Sequence, residues 1–145
     1  MNEEIEAIKY LMTNIEMHRL MLRDMYKKKD VKDYMYSFIR YQMREYTRFS
    51  VSLRRMLEIR TKKAGGTKNA VLGIAATLGN NRNTLKNVED YLDFFKEAAK
   101  VNVMDLKRIK ENYRIKSKNV LNLIGRLEEF EKNNIEIIES FNNIT

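Results

Sequence analysis

The sequence predicts an all-α fold: an antiparallel bundle of long helices with coiled-coil-like packing, three to four helices per chain, in a single helical domain over residues 1–145. Three observations predict it. The chain has no proline, so no residue interrupts helix by removing a backbone donor. Leu, Met, Glu, Lys and Arg, all good helix formers, recur along almost its whole length. Apolar residues return at alternating spacings of three and four, the period of a helix with one buried face.

The first element places Ile5, Ile8, Leu11, Met12, Ile15, Leu22 and Met25 on one stripe. His18, the lone histidine, borders that stripe beside Leu11 and Met25, where a partly buried, hydrogen-bonded side chain is expected. The stripe runs into Lys27-Lys28-Lys29-Asp30, where the apolar phase shifts. A turn or kink is expected there, with Asp30 capping the second helix. The second element carries Val31, Tyr34, Met35, Phe38, Tyr41, Phe49, Leu53 and Met56. Gln42 and Glu45 fall on its apolar face and are expected as a buried polar pair that fixes register.

The stretch from Lys62 to Asn81, KKAGGTKNAVLGIAATLGNN, holds four of the five glycines. Gly65-Gly66 supplies the backbone freedom to end a helix and reverse the chain. Thr67 can cap the short apolar segment after it, and Gly79-Asn80-Asn81 is a second stop signal. A phosphate-cradling loop needs Gly-Lys-Ser/Thr after four intervening residues and a preceding strand; GGTKNAVLG offers neither. A joint between helices is expected.

The longest pattern comes last. From Leu85 to Ile144 the three-four alternation never breaks, and only Asn102, Lys116 and Asn134 on that seam are polar. As one helix, roughly 60 residues would make a rod about 90 Å long. As two helices sharing the seam, the break is expected in AAKVNVMD, residues 98–105. A continuous seam would join two chains in a homodimer, with the three polar positions setting register.

Charge points to the partner class. The formal net charge of +8 divides into −2 over residues 1–10, −4 over residues 127–145 and +14 between them. A field of that size attracts polyanions, and the acidic ends are not expected to neutralise it locally. The candidate anion-binding residues are Lys27, Lys28, Lys29, Arg54, Arg55, Lys62, Lys63, Lys107, Arg108, Lys110, Arg114 and Lys118. Positions 107, 110, 114 and 118 keep three-four spacing and are expected to line one helix face that can track a row of phosphates or lie on anionic lipid. Phe95, Tyr113 and Phe130 sit at seam positions, which suits core rather than base stacking.

Several chemistries lose their residues. Without cysteine there is no disulfide, zinc knuckle or thiol nucleophile. One histidine cannot supply the two Glu-x-x-His pairs of a di-iron bundle. No catalytic residue, metal, cofactor or small-molecule substrate is therefore expected. The longest apolar run, Ala70–Leu78, is too short to span a bilayer. The opening MNEEIEAIKY is acidic where a signal peptide is basic, so a cytoplasmic protein with peripheral membrane attachment is expected.

The run NVEDYLDFFKEAAKVNVMDLKRIKENYRIKSKNVLNL, residues 87–123, resembles the long central helices of BAR-type and sorting-nexin-type membrane scaffolds, which combine aromatics on a long seam with a basic face. The resemblance, extended along the seam, covers about half the chain and rests on pattern, and those domains are usually longer. It implies an antiparallel helical homodimer presenting basic side chains to lipid headgroups. A second likeness is to ferritin-like four-helix bundles, here a metal-free member. The expected function is a non-enzymatic scaffold that binds an anionic surface through basic helix faces, membrane ahead of nucleic acid.

Overall fold

The computed structural model describes residues 2–61 and 85–141, and all of their regular structure is helical. Among the described residues four helices occur in order: α1 (Asn2–Tyr26), α2 (Asp33–Thr61), α3 (Val88–Asn112) and α4 (Lys118–Phe141). The all-α expectation holds. The glycine-rich joint, with Gly65, Gly66, Thr67, Lys62 and Lys63, lies outside the described residues. The chain divides into two compact units, Ile8–Tyr91 and Met1–Ala7 with Leu92–Thr145.

In the first unit the helix ends explain themselves. Lys27 N–H and Lys28 N–H donate to the carbonyls of Asp24 and Met25, three residues back, which tightens and closes α1. The chain re-enters helix when the carbonyl of Lys32 accepts from Met35 and Tyr36. The turn expected at residues 27–30 is therefore real. Asp30, however, does not cap α2. Its carboxylate accepts the Val88 amide at 3.0 and 3.2 Å and so caps α3 from 58 residues away. Asn87 and Asp90 complete that start reciprocally: the Asn87 side chain accepts the Asp90 amide, and Asp90 accepts the amides of Lys86 and Asn87.

Helices α1 and α2 run antiparallel, since contacts pair rising numbers with falling ones. Glu16 meets Ser50, His18 meets Tyr46, and Tyr26 meets Tyr36 edge to face at 5.3 Å. Their core holds Ile8, Leu11, Ile15, Leu22 and Met25 against Met35, Ile39, Leu53 and Leu57, each fully buried side chain contributing roughly 1.5–3 kcal/mol. The α2 stripe differs from expectation at one flank. Gln42, Tyr46 and Ser50 are buried, while Tyr41 is 43% exposed. A helix turns 3.6 residues per repeat, so over 29 residues the buried face drifts away from a strict three-four count. Gln42 is buried as expected, but Glu45 is half-buried and pairs with Arg48 at 3.0 Å, so the two are not a buried pair.

In the second unit the seam is interrupted, though not at residues 98–105. That stretch is helical, with Ala99 and Asn102 buried. The break is Tyr113–Ser117, after which the Ser117 carbonyl accepts from Leu121 and its hydroxyl from Val120 at 3.4 Å, opening α4. Folding back brings Lys110 against Glu128. The seam residues Phe95, Leu106, Val120, Leu123 and Leu127 are buried within the chain, so the premise of a dimer through a continuous free seam does not hold. Asn102 and Asn134 lie in the core, whereas Lys116 is exposed in the link. Phe95 is fully buried; Tyr113 and Phe130 are half-buried.

Candidate anionic-surface interface

Nine of the expected basic residues, Lys27, Lys29, Arg54, Arg55, Lys107, Arg108, Lys110, Arg114 and Lys118, are exposed, and Lys28 is half-exposed. They do not form the stripe that their spacing suggests. Lys107 and Lys110 lie on α3, Arg114 in the link after it, and Lys118 is the first residue of α4. The break at 113–117 removes the common helix face that the three-four count assumed.

Two of these groups are also engaged. The Lys110 ammonium donates to Glu128 Oε1 at 2.7 Å, and Lys132 reaches the other oxygen at 3.1 Å. The hydrogen bond from Lys110, reinforced by Lys132, holds the Glu128 carboxyl below its ordinary value against the opposing effect of burial. Arg108 pairs with Asp105 at 3.6 Å. At the link, Glu3 accepts the Arg114 amide at 3.3 Å and Glu4 accepts the Ser117 amide at 3.0 Å. Both are bonds to neutral backbone amides. The local offset of side-chain charge comes instead from Glu128 of the acidic 127–145 segment, paired with Lys110, contrary to the sequence expectation for that end. Lys28 stands over the Tyr91 ring at 5.2 Å, beside an open recess of about 270 Å³ lined with Asp24, Lys27 and Leu85.

A denser basic surface lies on α2. Its exposed residues from Ser37 to Ile59 include Arg40, Arg44, Arg48, Arg54 and Arg55, against the single carboxylate Glu58. At 100° per residue these arginines fall within about one-third of the helix circumference, and Arg40 to Arg55 spans about 22 Å. All six basic residues of α2 are arginine. Arg40, Arg54 and Arg55 form no ion pair among the described residues, while Arg44 and Arg48 share the half-buried Glu45. Three exposed apolar side chains share the face: Tyr41, Val51 and Ile59, the last 76% exposed. Arg44 sits over the Tyr41 ring at 5.5 Å, which holds its planar group along the surface.

Sequence reading found Arg54 and Arg55 because they are adjacent. It passed over Arg40, Arg44 and Arg48, whose i, i+4, i+8 spacing was the available signal.

His18 offers no reactive group to solvent. It is 0% exposed, stacks on Tyr46 at 5.0 Å and 16°, and lies 2.7 Å from the Asn14 carbonyl through Nδ1. A carbonyl only accepts, so Nδ1 carries the proton. Among the described residues no three His, Cys, Asp or Glu side chains form a group able to hold a metal ion. No described helix is long and apolar enough to cross a membrane. The chain matches no family model, no curated protein and no solved structure.

Proposed function

We propose that this protein is a non-enzymatic helical scaffold that binds an anionic membrane surface peripherally, with the outward face of α2 as its principal contact. The observation carrying this reading is the exposed set Arg40, Arg44, Arg48, Arg54 and Arg55, interleaved with Tyr41, Val51 and Ile59. A guanidinium presents a planar fork of donors that binds phosphate oxygens in pairs. Apolar side chains between the arginines suit a headgroup layer, where they enter the acyl boundary while the cations stay among phosphates. A nucleic-acid backbone offers the same phosphates but no apolar layer, so it ranks second. Lys27, Lys29, Arg114 and Lys118 add exposed charge elsewhere on the chain.

Vesicle flotation tests the reading. Vesicles rich in anionic headgroups should bind the protein, neutral vesicles should not, and added salt should weaken binding because exposed charges are screened over about 8 Å at physiological ionic strength. Replacing Arg40, Arg44, Arg48 and Arg55 by Gln should cost about 4 kcal/mol, at about 1 kcal/mol for each basic residue near anionic lipid. Unchanged binding of that variant would refute the role of α2. Tighter binding to duplex than to vesicles at equal salt would shift the reading to nucleic acid, and binding to neither would end it.

A further inference from the structure

The outward face of α3 differs from that of α2. Between Leu92 and Asn112 its exposed residues begin with two acids, Asp93 and Glu97, and continue with the bases Lys100, Lys107, Arg108 and Lys110 before Glu111. The helix macrodipole accounts for acids early and bases late. It does not account for Val101 and Met104, which are 55% and 61% exposed near the middle of the helix.

Glu97, Val101, Met104 and Arg108 are spaced four, three and four apart, so they form one line along the outer surface. That line is complementary to itself in one orientation. A second copy of α3 laid antiparallel about a two-fold axis midway between Val101 and Met104 sets Val101 against Met104 of the second copy. The same operation sets Glu97 against Arg108 of the second copy, and the symmetry repeats each contact. A parallel arrangement would instead align Glu97 with Glu97 and Arg108 with Arg108.

We infer that this face is a homodimer interface, and that its occupant is a second copy of this chain in antiparallel, two-fold register. The inference is independent of the membrane reading. The charges needed for it, Glu97 and Arg108, are both exposed and are held by pairs within one turn, Lys100 to Glu97 at 3.5 Å and Arg108 to the half-buried Asp105 at 3.6 Å. Such pairs contribute little and exchange readily for contacts across an interface. Lys100 and Lys107 flank the line on the same side, and Lys107 stands one residue, about 1.5 Å along the axis, from the level of Glu97 of the second copy. A single helix pair buries less than the roughly 1,200 Å² of a standard interface, so the dimer is a weak one, populated at high concentration.

The chain's lack of cysteine makes the register directly testable. Glu97→Cys and Arg108→Cys chains should form a covalent dimer when mixed under oxidising conditions, and neither chain should do so alone. In sedimentation equilibrium, Met104→Glu should weaken association at least tenfold with helicity unchanged. Glu97→Arg alone should weaken it several-fold, and Glu97→Arg with Arg108→Glu should restore it. A wild-type monomer up to hundreds of micromolar overturns the inference. So does cross-linking of the Glu97→Cys chain with itself, or a double reversal that associates no better than the single one.

Discussion

In the link between α1 and α2, Asp30 gives its carboxylate to the first turn of α3, whereas the link between α3 and α4 receives carboxylates from the first turn of α1. Val88 N–H bonds Asp30 in the first case; Arg114 and Ser117 amides bond Glu3 and Glu4 in the second. Composition explains the opposite directions. The first link, KKKDVK, contains an acid to give, while the second, YRIKS, contains none. Backbone amides freed at a helix end need acceptors wherever they fall. When the link has no carboxylate, a helix start remote in sequence supplies one. Each contact ties two segments far apart in the chain, and so helps to specify topology as well as local structure.

Both hairpins bury polar side chains, and the largest expected effects test the packing beneath the links. Tyr46, stacked on His18, and Phe95 are both fully buried. Tyr46→Ala and Phe95→Ala should each destabilise by about 3–5 kcal/mol, read from the midpoint of chemical denaturation. If one is nearly neutral, the hairpin that holds it is not part of the cooperative core.

Next in size, removing the given carboxylate should cost more than removing a received one. Asp30→Ala leaves the Val88 amide without its remote cap and should cost about 1 kcal/mol. Glu4→Ala should cost less, because the Ser117 amide sits in a link that can turn to water. Amide exchange should accelerate at Val88 in the first variant and at Ser117 in the second. Equal losses, or no change in exchange at either amide, would break the contrast between links.

The smallest effect is confined to acid pH and belongs to the second unit. The Lys110 hydrogen bond holds Glu128 below 4.5, its ordinary value, in the folded chain. A carboxyl depressed on folding contributes stability that is present above its unfolded pKa and is lost as pH falls through the folded one. The stability difference between wild type and Glu128→Gln should therefore be greatest near neutral pH and should shrink as pH falls below 4.5. A difference that is constant from neutral to acid pH would mean that the carboxylate's charge contributes nothing.

The sequence by itself determined the helical class, the turn at residues 27–30 and most of the buried stripe of α1. Absence of proline and three-four spacing are local properties, and each helix reads them along its own length. It also marked the exposed cations, because a charged side chain is seldom buried without a partner. Tertiary structure alone decided the rest. The break at Tyr113–Ser117 was hidden because two helices folded against each other each need an apolar stripe, and chance continuity of phase across their link costs nothing. Asp30 looked like a cap for the helix beside it and became the cap of α3, since a carboxylate bonds whichever free amide the fold brings within about 3 Å. Likewise the expected stripe of Lys107, Lys110, Arg114 and Lys118 came apart at that link. The arginines of α2 stayed together on one face because no break interrupts their helix.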